Sequence, residues 1–500
     1  MGCLARYSRF AVLLPIFLTL AAQLPAMLNV HVVEYDEAIF LDVANHIQQN
    51  GLPIRSIGAQ GVFSFEHTPL YVYLLSFYAT RSPTGILLAR LMTTAFSLGC
   101  VFLVHSIGKR VSGDIAGLIS ALLLGINPFF ALYSFFVRME IPMVFSMLLG
   151  LLLIVKGKHS GSLLGAGIAL AAAALFKEFA LLFTVVCGMH VLLQFRQSNL
   201  AWKAPLLVIT PTVIAFLLWG IGCWRLSPSI FISTMHRWMG SAVGIGLGDP
   251  RESIGVIQWA RQITFDLLDL GLVLGLILVV IGTSIRKMTL LSYTLLGYLI
   301  LAVGLSFAIR LKELRHLVGI LPVAALFIGV SVNWDKLWGR MRSSRLRGIA
   351  AVLVTMVILF FASPLRLPLR DVANLKAWFD PLYAWRVFES DHYYNVLRLT
   401  GLYLQEHTEP EEVITVVHEA TVTAYYANRH YNMLYTAPME SVMQILEQTR
   451  YLVWDNTVFL ALTEDQIRTV QEYVAQHFGV EQVIQDEHRQ VTIYSRRDAQ

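Results

Sequence analysis

The chain has 500 residues, 56% of them apolar and only 14% charged, a composition that excludes an ordinary soluble enzyme because it cannot cover a water-facing surface with polar groups. The net charge of +5 divides unevenly: residues 1–369 hold 28 Lys and Arg against 14 Asp and Glu, and residues 370–500 hold 10 against 19. The basic surplus lies in short loops between apolar runs, where membrane orientation accounts for it and no nucleic-acid partner is expected.

The first apolar run, near 10–30, follows Arg6 and Arg9 and is too long for a signal peptide without a small-residue cleavage site, so it reads as an uncleaved helix with a cytoplasmic N-terminus. Arg6 stands where a myristoylation signal has Ser or Thr, which argues against lipidation. Further runs lie near 85–107, 115–127, 141–155, 162–176, 179–195, 204–223, 265–282, 290–309, 317–332 and 349–362. Together they predict about eleven spans. Alternate loops collect Lys109/Arg110, Lys156/Lys158, Arg196/Lys203, Arg286/Lys287 and the basic cluster at 336–347, the distribution expected of cytoplasmic loops. The runs 115–127 and 141–155 are shorter than a bilayer is thick, and the segment between them should dip into a cavity. Its rings, Phe129, Phe130, Tyr133, Phe135 and Phe136, read first as an interfacial belt and second as a cradle for a sugar or a prenyl chain. Cys3, Cys100, Cys187 and Cys223 have the spacing of neither a disulfide framework nor a zinc site and read as small core residues.

From about Val396 the pattern changes in kind: strands near 413–417, 451–454 and 491–494 and an amphipathic helix near 464–478 predict a small α/β fold outside the membrane. The expected fold class is a polytopic α-helical membrane protein with a C-terminal extracytoplasmic α/β domain. The domains are 1–369, with a first outer loop at 31–68, and 370–500.

That first loop is too long and too acidic for a simple connection. Ile39, Phe40, Val43, Ala44 and Ile47 recur at helical spacing, with Asp42, Asn45, His46 and Gln48 opposite, until Asn50-Gly51 ends the pattern. An amphipathic helix lying along the bilayer surface fits this. Asp36 and Glu37 fall at its start, where exposed N–H groups and the helix dipole favour negative charge. They read either as caps or as working carboxylates; neighbours on a helix point about 100° apart, so one would act as base while the other orients a partner.

Tyr35-Asp36-Glu37-Ala38, followed by a helix and then Glu66-His67-Thr68-Pro69-Leu70-Tyr71, resembles the first loop of protein O-mannosyltransferases and aminoarabinose (ArnT-like) transferases. These are GT-C membrane glycosyltransferases that take sugar from a polyprenyl phosphate outside the cytoplasm. Thr68 replaces the first proline of the usual pair. Arg138-Met139-Glu140 resembles the family's second acidic motif, Phe176-Lys177-Glu178 its Lys-Glu pair, and Glu313-Leu314-Arg315-His316 its basic motif near the donor phosphate.

The resemblance implies a GT-C-like domain of about eleven helices and transfer from a polyprenyl-phosphate sugar with inversion, Asp36 being the general base and Glu37 its companion. A departing phosphate monoester needs cations, and Arg315, Lys177, Arg310 and Lys312 are the candidates in that order, Arg leading for its planar fork. Arg138, Glu140 and Glu178 would hold the acceptor or form the second acidic motif, and His67 and His316 would bind donor or acceptor. No cofactor is required; a divalent metal on Asp36, Glu140 and Glu178 stays open, although a monophosphate leaving group does not demand one. The acceptor is a lipid, glycan or protein, and the expected location is the plasma (inner) membrane, multi-pass, with the active site and tail outside. A secondary transporter and a non-enzymatic envelope assembly factor are the competing readings.

Overall fold

A computed structural model describes residues 12–29, 32–78, 81–157, 159–196, 202–243, 256–264, 272, 276, 288–308, 317–332, 390–435, 437–455, 462–486 and 489–497. In chain order the elements are helix α1 (Leu13–Asn29), α2 (Tyr35–Asn50), the two-residue strands β1 (Ile54–Arg55) and β2 (Val62–Phe63), α3 (Leu70–Leu75) and α4 (Pro83–Ser112). Then come α5 (Asp114–Gly125), α6 (Pro128–Tyr133), α7 (Glu140–Lys156), α8 (Ser160–Phe176), α9 (Ala180–Phe195), α10 (Lys203–Leu226), α11 (Pro228–Val243), α12 (Val256–Gln262), α13 (Leu290–Ala308) and α14 (Ile320–Ser331). The C-terminal part holds α15 (Ser390–His407), β3 (Val413–Val416), α16 (Ala420–Ala427), β4 (His430–Met433), α17 (Met439–Gln448), β5 (Tyr451–Asp455), α18 (Glu464–His477), β6 (Phe478–Gln485) and β7 (Gln490–Arg496).

The chain divides into two compact units. The first comprises Met1–Met27, Phe65–Tyr71 and Arg90–Ala384; the second comprises Leu28–Ser64, Val72–Ala89 and Trp385–Gln500. This differs from the division at 369/370 expected from charge, because most of the first outer loop groups with the C-terminal fold. Of the spans expected from sequence, 349–362 and all of 265–282 but Leu272 and Leu276 lie outside the described residues.

In the first unit α7 packs on α8, α8 on α10, and α14 on both α5 and α13. Among the described residues three helices are long and apolar enough to cross a membrane, Pro83–Ser112, Lys203–Leu226 and Leu290–Phe307, and four shorter apolar helices accompany them. Their outward faces carry exposed Leu217, Leu218 and Ile221 on α10 and Ile300 and Leu301 on α13, a surface suited to lipid rather than water. α14 is apolar all round and buried throughout.

With lipid as solvent, helices gain little from apolar burial against one another, and close approach plus interhelical hydrogen bonds take over. Thr19 Oγ1 donates to the Gly125 carbonyl across α1 and α5 (3.1 Å), and Gln23 exchanges hydrogen bonds with Ser97 of α4 at 3.1 and 3.2 Å. Gly167 of α8 lies against the backbone of α10: a methyl group there would meet the Leu207 carbonyl oxygen, with the Val208 carbonyl 3.0 Å away. Gly167→Ala should therefore destabilise the protein by about 1–3 kcal/mol through overpacking against atoms that cannot swing aside. Thermal unfolding in detergent checks this. Cys100, Cys187 and Cys223 are free and buried in this unit, and Cys3 lies outside the described residues.

The second unit contains a five-stranded sheet in the order β4-β3-β5-β7-β6. β3 runs parallel to β4 and β5, while β7 pairs antiparallel with β5 and β6. Its apolar face joins Leu452, Val442, Leu446, Val470, Val474 and Phe478 in one core. α18 begins with a capping box in which Thr463 and Gln466 satisfy each other's backbone N–H. Glu419, which precedes α16, has φ 48°, a left-handed conformation that a non-glycine residue rarely adopts. Its carboxylate is held by Arg489 at 3.1 Å, and the same guanidinium reaches Asp455 at 2.5 Å.

Candidate active site

The second unit carries Asp36 and Glu37. Helix α2 starts at a capping box: the Glu34 carboxylate accepts the backbone N–H of Glu37, and Glu37 Oε2 accepts that of Glu34 at 3.1 Å. Glu37 is fully buried in this local task, whereas Asp36 is half-buried one residue earlier, in the first turn where the helix dipole favours an ionised carboxylate. Gly51 closes the helix in the left-handed region at φ 77°, where glycine carries no Cβ penalty.

The polar face of α2 is exposed at its C-terminal end, at Gln48, and half-buried at His46, but its middle is turned away from water, which a helix lying free along a surface would not require. Asp42 is 2% exposed and Asn45 is buried too. Asp42 accepts three charge-stabilising hydrogen bonds, from the Ser56 N–H at 2.8 Å, the Ser56 hydroxyl at 2.8 Å and Arg81 Nη2 at 3.1 Å. His46 Nε2 hydrogen-bonds the same serine hydroxyl at 2.9 Å. Burial pulls the His46 pKa below its ordinary value; Asp42 opposes this, and Arg81 and His430 add to it. Sequence reasoning missed the role of Asp42 because its partners, Ser56 and Arg81, lie 14 and 39 residues away.

The first unit gathers a second set. α7 and α8 form an antiparallel pair, so the first residue of α7 and the residue after α8 fall at the same end. There Lys177 Nζ donates to Glu140 Oε1 at 2.5 Å, with the two residues 4% and 3% exposed. Arg138 is a second positive charge acting on Glu140. The other oxygen of that carboxylate, Glu140 Oε2, and Glu178 Oε2 are buried with no hydrogen-bond partner among the described residues. His67 feels Glu178, Lys177, Glu66 and Glu140, but burial dominates and holds its pKa below the usual imidazole value.

The rings near this end are buried rather than lipid-facing, which corrects the expectation of an interfacial belt. Phe130, Phe135 and Phe136 are enclosed by protein. Arg138 stands 4.9 Å over the Tyr133 ring and 5.9 Å over Phe136, and Arg90 stands 6.0 Å over Phe136 from α4. Cations over ring faces are attracted by the ring quadrupole, most strongly where water is excluded. Asn127 caps the short helix between the two spans, accepting the Phe130 N–H at 2.8 Å. This keeps the irregular backbone satisfied where the chain turns.

The structure thus brings together Arg138, Glu140, Lys177, Glu178 and His67 of the sequence-derived set within the first unit. Asp36 and Glu37 belong to the second unit. Arg310, Lys312, Arg315 and His316 lie outside the described residues. Among the described residues no three His, Cys, Asp or Glu side chains converge as metal ligands. Arg90 is a buried cation that the sequence did not single out; an Arg inside an apolar run between Leu88 and Leu91 was the available signal.

The model of the family described as dolichyl-phosphate-mannose-protein mannosyltransferase matches residues 66–224. No curated protein sequence matches the chain significantly. Among solved structures, ArnT from Cupriavidus metallidurans bound to undecaprenyl phosphate is 13% identical with a TM-score of 0.66, covering 98% of each chain. The archaeal oligosaccharyltransferase AglB from Archaeoglobus fulgidus, in complex with an inhibitory peptide and a dolichol-phosphate, is 12% identical with a TM-score of 0.59, covering 90% of this chain and 70% of its own. The mycobacterial arabinofuranosyltransferase AftD is 14% identical with a TM-score of 0.54, covering 98% of this chain and 40% of its own. The chain therefore shares the GT-C fold of these membrane glycosyltransferases and resembles the ArnT and protein mannosyltransferase group.

Proposed function

We propose that this chain is an integral-membrane glycosyltransferase that moves a sugar from a polyprenyl-phosphate donor to an extracytoplasmic lipid, glycan or protein acceptor, with inversion. The observation that carries the reading is the buried cluster of the first unit. Two carboxylate oxygens, of Glu140 and Glu178, have no hydrogen-bond partner among the described residues, beside the cation Lys177. A buried acceptor atom left unsatisfied is costly, and a hydroxyl-rich ligand would satisfy both. Lys177 supplies charge for a phosphate leaving group, and Arg138 and Arg90 surround Phe136 with further positive potential.

Asp36 is the general base of this reading. The helix N-terminus favours its ionised form, and Glu37, committed to the capping box, orients the turn that carries it. Asp36 takes the proton of the acceptor hydroxyl or amine as that group attacks the anomeric carbon and the polyprenyl phosphate departs. Arg315, Arg310 and Lys312 join Lys177 on the phosphate, and His67 and His316 contact donor or acceptor, as the resemblance implies.

Membranes containing the protein, given a panel of labelled undecaprenyl-phosphate sugars, should release undecaprenyl phosphate from at least one. A transporter or an assembly factor would release none. The associated topology places the N-terminus in the cytoplasm and residues 370–500 outside the plasma membrane. Cysteines placed at Ser160 and Asn456 should label from opposite sides of a sealed membrane. Labelling from one side alone would overturn the orientation.

A further inference from the structure

We infer that the C-terminal α/β fold is a working part of the transfer machinery, with Tyr426 acting as a positioning residue for Asp36; this rests on the reading of Asp36 as the base. β4 is an edge strand, and an edge leaves a row of backbone N–H and C=O groups to be covered. The first outer loop covers it. Tyr431 N–H donates to the Ser56 carbonyl at 2.9 Å, Gly58 N–H donates to the Tyr431 carbonyl at 2.8 Å, and Ile57 forms a parallel bridge with Tyr431. His430 Nδ1–H donates to the Gly58 carbonyl at 2.8 Å. Beneath this seam Arg55 donates to the Tyr431 hydroxyl at 3.0 Å and to Thr421 at 2.9 Å.

Two further links reach α2 itself. Arg81 donates one nitrogen to Asp42, in the middle of the helix, and the other to the Tyr425 carbonyl at 2.9 Å. The backbone N–H of the fully buried Val33 donates to the Tyr426 hydroxyl at 2.9 Å. Val33 immediately precedes Glu34, the residue that caps α2, and Asp36 follows two residues later. The edge seam and the Asp42 clamp fix where the helix lies. The Tyr426 bond fixes how the chain enters its first turn, and hence the direction of the Asp36 carboxylate. Catalysis responds steeply to such placement, a displacement of about 1 Å costing on the order of 10²-fold.

A double-mutant cycle in the full-length protein tests the inference, with turnover read as release of undecaprenyl phosphate from an undecaprenyl-phosphate-linked sugar. Tyr426→Phe keeps the ring and removes the acceptor of the Val33 N–H. It should lower kcat by roughly 10-fold to 10²-fold with donor KM unchanged, and raise amide exchange at Val33. In the Asp36→Asn background the same change should cost nothing further, because its effect passes through Asp36. An equal loss in both backgrounds, or a wild-type kcat in Tyr426→Phe, overturns the inference and leaves Asp36 standing as the base. Wild-type turnover in Asp36→Asn alone overturns the base assignment instead. Should Tyr426→Phe not be recovered in folded form, Arg81→Lys enters the same cycle. It keeps a charge on Asp42 but gives up the fork that also reaches Tyr425, and the same pattern of non-additivity is expected.

Discussion

Asp36→Asn is expected to lower sugar transfer by about 10² to 10⁴-fold while leaving expression and undecaprenyl-phosphate binding close to wild type. Asparagine keeps the shape of the side chain, and the capping box is made by Glu34 and Glu37, so the helix start survives and only the proton acceptor is lost. The neighbouring carboxylate behaves differently because its work is structural. Glu37→Gln retains an oxygen for the Glu34 N–H and should stay near wild-type turnover, while Glu37→Ala breaks the capping box and costs about 1 kcal/mol of stability. If Asp36→Asn turned over normally and Glu37→Gln lost two orders of magnitude, the base would be Glu37.

Local signals made parts of this arrangement legible. The 3.6-residue recurrence from Ile39 to Ile47 and the Asn50-Gly51 stop describe α2, because both follow from local backbone geometry. Apolar runs likewise mark β3 and β5. β4 reads His-Tyr-Asn-Met, with no apolar alternation to mark it as a strand. Partners distant in sequence also hid the environment of α2: Asp42 looks solvent-facing until Ser56 and Arg81 are brought onto it, Arg81 itself being held by the Tyr425 carbonyl. At the other cluster, the charges of Glu140 and Lys177 are visible in sequence, but their pairing depends on α7 and α8 running antiparallel.

That pair gives the most discriminating expectation. Removing one partner of a buried ion pair typically costs about 3–5 kcal/mol because the other charge is left uncompensated. Arg138 also faces Glu140, so Lys177→Met should fall near the lower end, about 3 kcal/mol. Glu140→Gln leaves Lys177 as a buried cation with a weaker partner and should lose a comparable amount. Donor binding separates a structural pair from a working one, because the two variants then move in opposite directions. If Lys177 holds the phosphate, Lys177→Met weakens undecaprenyl-phosphate affinity, whereas Glu140→Gln frees the ammonium from its competitor and keeps or strengthens it. The doubly apolar variant, Glu140→Met with Lys177→Met, should recover much of the stability, since well-packed apolar replacements of buried pairs are often neutral, and yet bind donor as poorly as Lys177→Met. Equal donor affinity in all three variants and the wild type would reduce the pair to a brace between α7 and α8 and leave the phosphate to the arginines.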